Sequence, residues 1–426
     1  ASVNYSYGDK YYASFSFRRD GSSRLSPDTR WGNFWSLSAS WRLSQEKFMQ
    51  SLKSVLSDLK LRASYGVNGN LPSSYYGYQS TYTTGAFYNG KPSPWESTLG
   101  NEELTWEKNY ALNLGLDIGF FSRVNVSLDW YTRTTKDLLM SKQLNSISGF
   151  SSLLTNVGQM RNTGVELEVR SNNIKTKDFS WTTAFNLSHN KNKILKLADL
   201  PWFVDGRYVR KEGYPFNTIY LREYAGVDPE TGSALYYDNQ QDENGNYTKN
   251  KVTDPGQASP IPLKDITPTI SGGFMNTFNY KFIDLSFNLS YSFGGYSYDN
   301  ASYILQDDGY SVISNKSTEQ RRRWQKPGDI TDVPRFVYGN KKGGNYNSSR
   351  AIHSTDHIRL KSLILGLNAP KAWLQKLGIG NARIYFSGTN LLTWAAYGQY
   401  DPEMSGVVGF YTPPLKTYAF GLELKF

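Results

Sequence analysis

No cysteine occurs among the 426 residues, so neither a disulfide frame nor a thiolate metal centre is available, and cysteine usage says nothing about the compartment. Histidine is nearly as scarce, with only His189, His353 and His357. An enzyme needs an array of acid, base or nucleophile, and the sequence spells out none, so the chain reads as a non-enzyme without a cofactor. His353 and His357 are four apart, but they flank the start of a predicted strand. A metal pair at that spacing needs a helix to bring both onto one face; a hydrated strand end is the plainer reading, and no metal site is assigned. No stretch approaches the roughly 18 consecutive apolar residues of a spanning helix. No run of five Lys or Arg exists either, Arg321-Arg322-Arg323 being the densest, so a net charge of +10 does not point to nucleic acid.

What the sequence has is a two-residue rhythm. In the last eleven residues Tyr418, Phe420, Leu422, Leu424 and Phe426 fall on one face, with Ala419, Gly421, Glu423 and Lys425 on the other. Side chains alternate across a strand, so one face is apolar and the other polar. The same pattern recurs upstream in segments of about ten residues, the length a tilted strand needs to cross the hydrocarbon layer. The fold class predicted is therefore all-β, a transmembrane antiparallel β-barrel. A mean hydropathy of −0.56 agrees with it, since only alternate residues face lipid, as does the 15% aromatic content with 32 Tyr.

About thirteen such segments are counted. The clearest pair sets Tyr110, Leu112, Leu114, Leu116, Ile118 and Phe120 outward and Asn113, Gly115, Asp117 and Gly119 inward, followed after Phe121-Ser122-Arg123 by Val124, Val126, Leu128 and Trp130. That is a hairpin with a tight turn. Others run over 11–19, 31–43, 59–66, 158–171, 179–189, 271–282, 283–293, 358–368 and 382–394, and a slip of the alternation near Ser362 predicts a bulge. Short links are expected at 8–9, 121–123, 172–177 and 282, with small amphipathic turns of helix over 44–57 and 369–380. Long ones, expected to be extracellular, cover about 67–103, 135–157, 191–268, 295–355 and 395–415. The 191–268 segment has room for an extra hairpin, which would make fifteen strands.

An odd number of strands starting with a descending one is not expected to make a complete single-chain barrel. An open sheet in lipid leaves two edges of unpaired backbone groups, each group costing several kcal/mol. The expectation is that residues 1–426 are the carboxyl-terminal part of a longer barrel. The amino end alternates at once and shows no leader pattern, which is read as either a removed signal or a fragment.

The strings LKLRASYGVNGN (59–70), LTWEKNYALNLGLDIGFFSRVNVSLDWYTRTTKDLLM (104–140), NVGQMRNTGVELEV (156–169), RWQKPGDITDVPRF (323–336) and IRLKSLILGLNAPKAWLQKLGIGNARIYFSGTNLL (358–392) resemble the SusC/RagA group of TonB-dependent outer-membrane transporters of Bacteroidetes. The resemblance runs in order along nearly the whole chain, through YDPEMSG (400–406) to the last strand. It implies a 22-stranded barrel with an amino-terminal plug, of which about thirteen strands are here. It implies localisation in the Gram-negative outer membrane and import of an oligosaccharide or peptide nutrient under a SusD-like surface lipoprotein lid. It also implies energy from a TonB-ExbB-ExbD complex acting on the plug. The remaining amino-terminal part of the barrel, outer-membrane lipid and lipopolysaccharide are the other expected partners. A passive porin or structural scaffold is the alternative, distinguished by the lack of a plug with a TonB box. A secreted carbohydrate-active β-protein would need paired carboxylates in a cleft and no lipid-facing rows.

Candidate ligand- or partner-facing residues are loop aromatics. Tyr75, Tyr76, Tyr78, Tyr82, Phe87, Tyr88 and Trp95 stand among Gly, Ser, Thr and Asn, and such rings pack on sugar C–H faces or peptide side chains. Packing of loops against one another or against a partner is an equal reading. Tyr397, Tyr400, Asp401 and Glu403, with Phe410 and Tyr411, form a second group with the same two readings. The Asp238–Asn246 stretch only loosely resembles a calcium loop, and an Asn-Gly hairpin turn is favoured. Asn89-Gly90-Lys91-Pro92-Ser93 is read as a turn. Inward Glu166, Glu168 and Arg170 are read as lumen charge pairs, and outward Trp41, Trp130, Trp181 and Trp394 as an interfacial girdle.

Overall fold

The computed structural model describes residues 1–197, 200–311, 313–340, 347–375 and 378–426. Parts of the segments 191–268 and 295–355 and of the 369–380 link thus lie outside the described residues. Thirteen long strands follow one another in chain order in a single sheet: β1 (Ser2–Tyr7), β2 (Tyr11–Gly21), β3 (Trp31–Arg42), β4 (Leu56–Asn70), β5 (Glu107–Phe120), β6 (Val124–Lys136), β7 (Gln159–Lys175), β8 (Phe179–Lys196), β9 (Ile270–Tyr280), β10 (Ile283–Phe293), β11 (His357–Asn368), β12 (Asn381–Ala395) and β13 (Thr417–Lys425). The chain divides into two compact units, one holding residues 1–202, 211–216 and 276–278 and the other the rest.

In the first unit, β5 and β6 form the expected hairpin, with Phe120 opposite Val124, Ile118 opposite Val126 and Leu114 opposite Trp130. Phe121 (φ 52°) and Ser122 (φ 54°) both take left-handed conformations, the geometry that matches the twist of two strands joined by a tight turn. Outward side chains line up across strands, Tyr11 with Trp41, Phe15 with Leu37 and Phe17 with Trp35. All six are large hydrophobic side chains and all six are exposed; large exposed apolar rows of this kind mark a surface that meets something other than water. The link after β3 makes two short 3-10 turns, Leu43–Gln45 and Lys47–Leu52. The turn between β7 and β8 is shorter than the sequence suggests, because β7 runs on to Lys175 through a register shift at Asn172/Ile174. Beneath the long links a cluster of Leu25, Phe34, Val67, Leu104 and Trp106 is buried, with Phe34 edge-on to Trp106.

In the second unit the slip near Ser362 is a bulge, seen as register shifts at Asn288/Leu289 and Leu360/Ser362. β11, β12 and β13 are antiparallel neighbours, and Tyr418, Phe420, Leu422, Leu424 and Phe426 are exposed. Beyond the end of β8, the described residues of the 191–268 segment add no strand to the large sheet; they fold into small sheets, such as Tyr224–Val227, Ala234–Tyr237 and Lys251–Val252. Gly245 N bonds back to Asp242 O, so Asp242–Asn246 is a tight turn. A further small sheet sets Tyr296–Asp299 antiparallel to Ile352–Ser354 and parallel to Gly406–Val408. Two of the long links are thereby tied together.

Candidate ligand-binding loops and polar wall

The 67–103 segment folds into two small hairpins, Thr81–Thr83 with Trp95–Thr98 and Phe87–Tyr88 with Lys91–Pro92. Short strands with exposed tips hold aromatic rings up to solvent. Tyr75, Tyr76, Tyr82, Phe87, Tyr88 and Trp95 are all exposed, Tyr88 to 80%. Arg24 lies 4.1 Å from the centre of the Tyr75 ring, a cation–π contact that fixes that ring. Tyr78 differs: it is half-buried against the Leu25, Phe34 and Trp106 cluster, so its ring supports the segment from below.

The second group takes another form. Tyr397 stacks on His353 at 3.7 Å with planes 2° apart, and its hydroxyl donates to Asp299 Oδ2 at 3.1 Å. Burial, reinforced by Asp299, pushes the Tyr397 hydroxyl pKa well above its ordinary value. Tyr400 bonds to Ser297 through its hydroxyl. Asp401 Oδ2 accepts from Arg359 Nη2 at 2.6 Å, and Glu403 accepts from Arg359 at 3.1 Å and Lys361 at 2.7 Å. The polar atoms of this group are thus engaged with the protein and hold the last long link down on β11. Phe410 and Tyr411 stay exposed. With Leu305, Arg359, Tyr400 and Met404 they line a cavity of about 490 Å³.

The histidine expectation is corrected here. His357 is buried, not a hydrated strand end, and its Nδ1 lies 2.8 Å from Thr355 O. Burial lowers the His353 pKa from its ordinary value, since a charged ring is costly away from water. Trp41, Trp130 and Trp394 are exposed as a girdle requires, whereas Trp181 stacks on Phe278 and donates to buried Asn276 at 2.8 Å.

Two features escape sequence reasoning. The first is the buried carboxylate of Asp308, held by Arg350 at 2.5 Å and by Gln320 at 2.9 Å. Arg350 also lies 5.6 Å from the Tyr224 ring centre, which joins the 191–268 and 295–355 segments. Asp307-Asp308-Gly309 is the only sequence hint, because acidic pairs before glycine mark a turn. The second is a recurring three-strand bridge on the inward face. Arg62 of β4 reaches Asp117 of β5 and Asp129 of β6, and Arg383 of β12 reaches Asp284 of β10 over Gly366. Glu168 and Arg170 pair as expected of lumen charges.

Strands with exposed apolar rows on one face and ion-paired polar residues on the other, joined alternately by short turns and long folded links, define a membrane β-barrel wall. The chain belongs to the TonB dependent receptor-like, beta-barrel family, whose model matches residues 1–219. It is 33% identical over 459 residues to the TonB-dependent receptor P3 of Formosa agariphila, covering 100% of this chain and 45% of that protein. To the TonB-dependent receptor SusC of Bacteroides thetaiotaomicron it is 31% identical over 453 residues, covering 100% and 43%. Among solved structures it matches the RagAB peptide transporter with a TM-score of 0.89 and 32% identity, over 100% of this chain and 47% of that one. The chain spans less than half the length of these relatives.

Proposed function

We propose that this chain is the carboxyl-terminal barrel wall of a 22-stranded, plugged transporter that imports an oligosaccharide or peptide across the bacterial outer membrane. The long links lie outside the cell, a SusD-like lipoprotein closes over them, and a TonB complex opens the plug held in the lumen. One observation carries this reading: an end-to-end match of the whole chain to the RagAB peptide transporter at TM-score 0.89. The exposed rings of the 67–103 hairpins supply flat apolar faces where cargo would arrive. The arrangement calls for no chemistry at the cargo, only capture and release.

The test is uptake by cells carrying the full-length protein, with Tyr82, Phe87, Tyr88 and Trp95 replaced by Ala together and TonB deleted in a parallel strain. Loss of uptake of labelled oligosaccharide or peptide without TonB supports active import, and a large fall in the quadruple variant assigns capture to those rings. TonB-independent uptake would point instead to a passive pore.

A further inference from the structure

The link between β3 and β4 is fastened to the outside of the wall. Glu46 accepts hydrogen bonds from Tyr11 Oη at 2.6 Å, Trp41 Nε1 at 3.1 Å and Lys10 Nζ at 2.9 Å. Tyr11 and Trp41 are opposite one another on the outward rows, stacked with their planes 21° apart, so the carboxylate sits at the lower rim of the apolar face. Beyond it, Phe48, Leu52 and Val55 are exposed, Phe48 to 65%. The neighbouring turn joins them, since Phe121 N bonds to Val55 O at 2.8 Å and the Phe121 ring is exposed as well. Lys47, Lys53 and Arg123 are exposed among these residues. Four large apolar side chains left in water at one place need a cover.

We propose that the 43–55 link is an interfacial foot on a phospholipid leaflet: Phe48, Leu52, Val55 and Phe121 rest at the boundary of acyl chains and headgroups, while Lys47, Lys53 and Arg123 meet the phosphates. Two observations select lipid over a protein partner. The link that carries the patch is bonded through Glu46 to Tyr11 and Trp41 of the outward rows, the rows that meet hydrocarbon in the placement proposed above. Its charge is of one sign at the height where phosphates lie, the composition of a segment lying in a membrane interface. Glu46 spends its own charge on Lys10 and the two ring donors, so it fixes the link against the wall and leaves the basic groups unopposed. The inference rests on the membrane placement of the strands proposed above and not on import.

This chain holds no cysteine, so once any cysteine in the remainder of the full-length protein is replaced by serine, single labels can be placed at will. In full-length protein reconstituted in bilayers of phosphatidylethanolamine and phosphatidylglycerol, single cysteines at Phe48, Leu52 and Phe121 would carry a nitroxide. Its collisions with oxygen, which concentrates in lipid, are compared with those of a water-soluble nickel complex. Labels at Tyr88 and Lys91, both exposed on a long link, serve as water references. The expected result is an oxygen-to-nickel ratio several-fold higher at 48, 52 and 121 than at either reference, with E46Q shifting the label at 48 toward the water value. Ratios at 48 and 52 equal to those at 88 and 91 would overturn the proposal, and a lipid signature seen only when lipopolysaccharide is present would overturn the choice of leaflet. No cargo or TonB enters the measurement, so its outcome is separate from that of the uptake assay.

Discussion

Arg62 and Asp129 belong to strands that are not neighbours, yet Arg62 Nη1 lies 2.9 Å from Asp129 Oδ1, passing over Gly115 of the strand between them. A methyl group at that position would stand 2.5 Å from both Arg62 Cζ and Asp129 Oδ1. The glycine is therefore required by the bridge and not by the strand. Gly366 stands in the same relation to Asp284 and Arg383, at 2.5 and 2.7 Å.

The first prediction follows from that crowding. Gly115→Ala is expected to destabilise the folded wall by about 1–3 kcal/mol, the usual range for an overpacked site. The check is urea unfolding of the full-length protein, followed by its heat-modifiable mobility. Arg62→Ala in the same chain is expected to remove most of the penalty, because two groups in contact are not additive. If the double variant is as unstable as the sum of the singles, the bridge is not the reason for the glycine.

A second prediction concerns acid. Hydrogen bonds from Tyr11, then Lys10 and Trp41, hold the Glu46 carboxyl at about 2. A carboxylate depressed in the folded state contributes stability that is complete above its ordinary value and lost as pH falls toward the depressed one. The 43–55 link is thus expected to stay fastened down to about pH 4.5 and to come loose between there and about pH 2. Amide hydrogen exchange over 43–55 reads this directly, and in E46Q the link should be loose already at neutral pH.

The third prediction has a different window. His353 is held neutral by burial against Tyr397, so its folded value lies below the ordinary 6.5. Below about pH 6.5 the unfolded loop takes up a proton that the folded one resists, and stability falls. Exchange protection over 296–299, 352–354 and 406–408, taken relative to the intrinsic amide rate at each pH, is expected to fall as pH drops from 7.5 to 5.5, and H353Q should flatten that dependence. An equal loss of protection in H353Q would assign the effect to another group.

The strands were legible from the sequence because their determinants are local. The β5–β6 hairpin needs only alternation and a turn, and the slip at Ser362 announces its own bulge. The long links were not, because what shapes them is distant in the chain. Ser297 pairs with Gly406, and Tyr224 meets Arg350, contacts that no periodicity reveals. His357 illustrates the cost of this: its Nε2 lies 3.9 Å from Glu403 of the 395–415 link, a neighbour distant in the chain that the sequence pattern of a strand end does not show. Tyr397, Tyr400, Asp401 and Glu403 were selected for their chemistry, and the structure finds that chemistry engaged with Asp299, Ser297, Arg359 and Lys361. The rings of 67–103 keep both of their sequence readings, with Tyr78 the one that packs.

The last prediction separates two cations that share a carboxylate. Arg359 is almost fully buried, at 3% side-chain exposure, and serves both Asp401 and Glu403, whereas Lys361 is about a third exposed and serves Glu403 alone. Removing a buried cation strands its carboxylates away from water, at a cost of about 3–5 kcal/mol, while a surface pair contributes about 0–1 kcal/mol. Arg359→Met is therefore expected to release the 395–415 link, seen as new protease cleavage near Phe410 and fast exchange over 406–408. Lys361→Met should leave both unchanged. If the two variants behave alike, the link is held by the Tyr397–His353 stack and the small sheet, and Asp401 and Glu403 regain their standing as groups open to a ligand.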